Sequence, residues 1–175
     1  MGIDFSVPWA EHEMEATVEA LQVRVSAARE QLRAAPLSTS PELGPPDPQT
    51  GERWDRLNVL GHTAEMLPYW SNQLAATMAS GAPFGRAPGS AQRVEGIESG
   101  RLIGEPQLRV RIEAGTEVLL AFLASLKEGD LDREVVHIAL GPMPLNVVLE
   151  RYLVGHFEEH CKQLAELGQE WPRQG

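Results

Sequence analysis

The sequence predicts an all-α fold, a four-helix bundle, on three observations. Apolar residues recur at spacings of three and four over four separate stretches, and no alternating apolar and polar run is long enough to make a sheet. Long connections rich in proline and glycine follow the first and second of these stretches, as a bundle with long loops after helices 1 and 2 requires. A length of 175 residues suits one domain with a real core, so residues 1–175 are read as a single helical-bundle domain.

The first helix runs from Trp9 to about Ala35, carried by Met14, Val18, Leu21, Val25, Ala28 and Leu32. It ends before residues 36–50, where Pro36, Pro41, Pro45, Pro46 and Pro48 leave no room for a helix interior. The second helix spans about Glu52 to Ser80, with Leu57, Leu60, Ala64, Leu67, Leu74 and Met78 on one side and Asp55 near its start. Pro68 predicts a bend one turn after His62 rather than an end, because Tyr69, Trp70 and Leu74 resume the pattern at once. Residues 81–106 are rich in glycine, proline and small polar side chains and read as a second long connection, with one short helical turn at most.

A third helix, Gln107 to Lys127, rests on Leu108, Ile112, Val118, Leu119, Phe122 and Leu126, and Gly129 is expected to stop it. Glu134 to Ala139 allows a short extended piece, and Gly141, Pro142 and Pro144 make the remainder a connection. The fourth helix starts at Pro144 or Leu145 and continues to about Gln169.

Composition bounds the partners. Fifteen basic against 25 acidic residues give a formal net charge of -10, which opposes attraction to phosphate backbones or anionic lipid, so neither nucleic acid nor membrane is an expected partner. The single cysteine, Cys161, cannot form an intrachain disulfide. The opening MGIDFSVPWAEHEMEA has neither the basic start nor the apolar stretch of a signal peptide, and no run reaches the length of a membrane span. A soluble, cytoplasmic protein is the expectation. No phosphate loop, no G-x-G-x-x-G and no G-x-S-x-G elbow supports nucleotide or serine-hydrolase chemistry.

The last helix carries the most chemistry. At 100 degrees per residue, Leu145, Val148, Leu149, Tyr152, His156, His160, Gln163 and Leu167 share one face. A spacing of four puts the imidazoles of His156 and His160 on adjacent turns, where one nitrogen from each can hold a divalent cation. The same spacing also suits two hydrogen-bonded core histidines, and a third ligand decides between the readings. His62 on the second helix is a candidate, on the side shared by Asn58, Glu65, Met66 and Tyr69. His137, in the connection before the last helix, competes as a supporting or packing residue. His12 stands between Glu11 and Glu13 as a solvated side chain, and Cys161 projects away from His160.

W-x-x-L-N-V-L-G-H-T-A-E at residues 54–65, H-I-A-L-G-P-M-P-L at 137–145, and H-F-E-E-H at 156–160 followed by Gln163 and Leu164 resemble the DinB/YfiT-like superfamily over nearly the whole chain. The resemblance implies a bundle of the up-down-down-up type, commonly a homodimer, in which one histidine of the second helix and an H-x-x-x-H pair of the last bind a divalent metal. Carried over, these ligands are His62, His156 and His160, with zinc, nickel, iron or manganese as the ion. Three imidazoles leave a position open for water or substrate, as a catalytic site needs.

H-F-E-E-H also satisfies H-x-x-E-H, the inverted zinc-peptidase motif, with Glu159 as its base. Those peptidases take a carboxylate as third ligand, whereas a histidine is offered here, so Glu158 and Glu159 are read as solvated charge or hydrogen-bond partners of a ligand imidazole. The function expected from the resemblance is that of a metal-dependent transferase, isomerase or hydrolase acting on a small molecule. Its cosubstrate would be a low-molecular-weight thiol such as mycothiol or bacillithiol. The alternative is a non-enzymatic dimeric bundle serving stress or binding, with a structural ion or none.

Overall fold

In a computed structural model that describes residues 17–37, 43–46, 51–87 and 89–167, the apolar stripes fold as helices. Helix α1 (Val18–Ala34) opens where the Thr17 hydroxyl accepts from the Ala20 amide, and it buries Val18, Leu21, Val25, Ala28 and Leu32. That is the stripe read from the sequence. Its expected first turns, and His12, lie outside the described residues, as does the last expected residue of the final helix, Gln169.

Helix α2 (Arg56–Ser80) begins on a capping box: Asp55 accepts from the Asn58 amide while the Asn58 side chain accepts from the Asp55 amide. It runs through Pro68 and ends on Gly81, whose φ of 74° only glycine adopts without strain. The helix is buried on more than one side, since α3 (Ala91–Ile103), α4 (Glu105–Ser125) and α6 (Val154–Leu167) all pack against it.

Helix α3 corrects the reading of residues 81–106 as a connection with one turn at most. Its glycines are packing residues. A Cβ on Gly61 would collide with the Gly96 carbonyl, one on Gly100 with the Leu57 carbonyl, and one on Gly96 would lie 2.6 Å from the Glu65 Cβ. The backbones of α2 and α3 touch at these positions, and the Asn58 side chain donates across the contact to the Ile97 carbonyl at 3.2 Å. Gly104, with φ 80°, then turns the chain directly into α4.

Gly129 does not stop α4 as expected. The helix ends four residues earlier, at Ser125, whose hydroxyl donates to the Phe122 carbonyl, and Gly129 sits in a following 3-10 turn, Glu128–Asp130.

The extended piece expected from Glu134 is strand β1 (Glu134–His137). It pairs antiparallel with β2 (Gly141–Pro144), in register Glu134↔Pro144 to His137↔Gly141, so the stretch read as connection is the second arm of a hairpin. Prolines fit this strand because its outer edge needs no donors. Phe84 joins the other edge, its amide donating to Val136 and its carbonyl accepting from Ile138.

The expected fourth helix is two: α5 (Leu145–Tyr152) and α6, separated by Leu153 with φ -129° and ψ -80°. Gly155 permits the interruption, since a Cβ there would stand 2.6 Å from the Glu150 carbonyl oxygen. The break rotates the buried face. Val154, Phe157, His160, Cys161 and Leu164 are buried in α6, whereas His156 sits at the margin. Helix α1 packs on α4 and α6, and α2 packs on the same two, enclosing a core that includes Leu21, Leu60, Leu67, Ile112, Leu119 and Phe157. No helix among the described residues is long and apolar enough to cross a membrane.

Candidate metal centre

Where α2 meets α6, His62, His156 and His160 converge. His62 and His160 are almost wholly buried, at 4% and 6% exposure, while the His156 side chain keeps 32%, so the cluster opens on that side. The Nε2 atoms of His62 and His156 stand 3.3 Å apart, and those of His156 and His160 3.1 Å. Two nitrogens that share a tetrahedral zinc at about 2.05 Å lie about 3.3 Å from each other. The three histidines are close enough to hold a metal ion, and the His62–His156 and His156–His160 pairs stand at the separation that ligands of one ion take.

Proton placement sharpens the fit. The His160 Nδ1 lies 3.1 Å from the Gln163 Oε1, an atom that only accepts, so Nδ1 carries the proton and Nε2 turns a lone pair toward His156. The His156 Nδ1 faces the Glu159 carboxylate at 3.8 Å, longer than a hydrogen bond. The His62 Nδ1 is buried without a hydrogen-bond partner among the described residues. Burial holds His62 far below the ordinary histidine range, and the neighbouring imidazoles of His160 and His156 and the guanidiniums of Arg93 and Arg86 act in the same sense. His62 is therefore a neutral imidazole with a free electron pair.

Trp54 walls the cluster. Its half-buried ring lies 5.0 Å from the His62 ring and 5.9 Å from that of His160, between centroids. Trp54 opens the W-x-x-L-N-V-L-G-H-T-A-E motif, and its place before α2, eight residues ahead of His62, carries no periodic signal of this contact. Gln163 was on the expected face, and its place three residues after His160 is the signal of a partner one helical turn away.

The remaining candidates separate from the cluster. His137 belongs to the hairpin, where its Nδ1 accepts from the amides of Ala139 and Leu140, each at 3.1 Å, and its ring stacks on Tyr152. Burial, and then Arg151, lowers its pKa. Glu158 is paired with Arg24 on α1, and Glu159 is largely exposed. The Cys161 thiol donates to the Ala28 carbonyl, and burial followed by the Glu158 charge pushes its pKa up to about 12. It faces α1 and has no thiolate character at neutral pH.

Compared with known proteins, the chain matches no family profile, no curated protein and no solved structure.

Proposed function

We propose that this chain is a divalent-metal-dependent enzyme of the DinB/YfiT-like type, acting as a thiol-dependent S-transferase or isomerase on a small electrophile. The observation that carries the reading is the convergence of three imidazole nitrogens in a cluster that opens to solvent at His156. A bound zinc, nickel, iron or manganese ion supplies Lewis acidity there and lowers the pKa of a thiol or water in its open position.

The chain's own residues orient and protect. Gln163 fixes the His160 ring by accepting its Nδ1 proton. Burial keeps His62 unprotonated, so its electron pair is available without a deprotonation step. Trp54 excludes water from one side of the imidazoles, and the partial exposure of His156 admits a small molecule from the other. Cys161 cannot be the nucleophile, since its thiol is buried against α1. The reactive thiol must come from solution.

The same reading treats α1, α2, α4 and the α5 and α6 pair as the four members of an up-down-down-up bundle that forms a homodimer in the cytoplasm. The packing of α1 and α2 on the same two helices supports the bundle. The test is an assay of metal-loaded protein with mycothiol, bacillithiol or simpler thiols and electrophiles such as 1-chloro-2,4-dinitrobenzene. Thiol consumption above that of chelated protein, lost in His160→Ala, is the expected result. No metal-dependent rate with any combination overturns the enzymatic reading in favour of a non-enzymatic bundle. Light scattering that returns only monomer removes the homodimer.

A further inference from the structure

We propose that Arg24 is a positioning residue for the candidate metal ligand His156: its guanidinium ties together the two helices on either side of the Leu153 break and so sets the turn that aims that imidazole. The inference rests on the reading of the three histidines as a metal centre.

Of the three imidazoles, His156 is the one its surroundings hold least. His62 and His160 are fixed by burial, and His160 also by Gln163, whereas the His156 side chain is 32% exposed. It belongs to the first turn of α6, three residues past Leu153, whose φ of -129° and ψ of -80° separate that helix from α5. Its direction therefore depends on how α6 is set against α5.

Arg24 holds that setting from the opposite side. Glu158 stands two residues after His156, about 200° round the helix, so it turns toward α1 while His156 turns toward His62 on α2. The Arg24 Nε and Nη2 donate to the two Glu158 oxygens at 2.9 and 2.5 Å, and its Nη1 and Nη2 donate to the two oxygens of Glu150, on α5, at 2.9 and 2.8 Å. One guanidinium thereby spans the break with a bidentate pair on each side, the geometry in which a partly exposed ion pair contributes. Gly155 makes the span possible, since a Cβ there would stand 2.8 Å from the Glu150 Oε1 and 3.1 Å from its Cδ. Both carboxylates accept from the same Nη2. Removing the cation leaves two negative charges aimed at one point across the break, and their repulsion opposes the present setting of α6 against α5.

The test titrates the full chain with cobalt(II), reading its affinity and its d–d absorption, which reports the number and geometry of the ligands. Arg24→Gln is expected to weaken binding about tenfold and to change the absorption. Arg24→Lys, which restores the positive charge without the fork, should recover part of the affinity. Arg33→Gln removes a guanidinium that pairs α1 with Glu113 on α4, and it should leave affinity and absorption as they are in the wild type. Either an affinity within about twofold of wild type or an unaltered absorption in Arg24→Gln overturns this inference alone, as does an equal loss in Arg33→Gln. If Arg24→Gln does not fold, Glu150→Ala cuts the same span from its more exposed side, and an unchanged affinity there overturns the inference instead. Wild-type protein that binds no cobalt overturns the metal reading and this inference with it.

Discussion

Helix α2 contributes to two buried polar clusters that differ in how their groups are satisfied. At its N-terminal end, Arg56 and Glu105 form a bidentate pair at 2.8 and 2.9 Å, with side chains only 3% and 6% exposed. The remaining Arg56 donors reach the carbonyls of Leu164 and Pro36, and Arg109 adds bonds to Glu105, Leu32 and Ala35. The two arginines thereby answer carbonyls at the C-terminal end of α1 and in α6 that those helices leave open. Two turns further along α2, the His62 Nδ1 has no hydrogen-bond partner among the described residues, and its Nε2 faces the His156 Nε2. The first cluster is complete within the chain. The second turns imidazole nitrogens toward one another with no counter-charge between them, and that difference separates a structural cluster from a candidate binding site.

The comparison can be broken most directly by removing one member from each cluster in metal-free protein. Glu105→Gln should destabilise the fold by about 3–5 kcal/mol in chemical denaturation, because two guanidiniums lose their buried counter-charge. His62→Leu should cost less than about 1 kcal/mol or stabilise, since it replaces an unsatisfied polar group with an apolar one. Equal losses would make the imidazoles structural. Adding zinc or nickel at about a hundred times Kd should stabilise the wild type by about 2.7 kcal/mol, and this gain should vanish in His156→Ala.

Acidification sharpens the contrast. His62 and His137 both have folded pKa values below the ordinary histidine value of 6.5, so the unfolded chain binds protons that the folded chain refuses. Their contribution is fully present above that value and is lost as pH falls below it, by up to about 1.4 kcal/mol per pH unit for each proton. Thermal melts of metal-free protein from pH 7.5 to 5 should show the fall, and His62→Leu should flatten it. The smallest effect concerns Cys161. Its thiol should resist alkylation at pH 8 in folded protein and react once denaturant is added, because its pKa is raised to about 12 only when buried.

Much of this was legible in the sequence where the signal is local. The α1 stripe, the Asp55 cap and the four-residue spacing of His156 and His160 depend on residues within a turn or two of each other. What was not legible depends on distant contacts. Gly96 and Gly100 look like loop formers, but they are glycine because the α2 backbone passes against them. The periodicity of residues 145–167 runs unbroken through Leu153, so it gave no sign that the chain interrupts there and leaves His156 at the solvent edge. Trp54 and Arg93 meet across 39 positions of sequence, and no spacing rule connects an aromatic ring before one helix with a guanidinium on the next.

The measurement that tests the central claim is elemental analysis of untagged protein after incubation with zinc or nickel and removal of free ion. About one equivalent of metal per chain is predicted for the wild type, with His62→Leu, His156→Ala and His160→Ala each greatly reduced. Under about a tenth of an equivalent in the wild type, or full occupancy in all three variants, would contradict it.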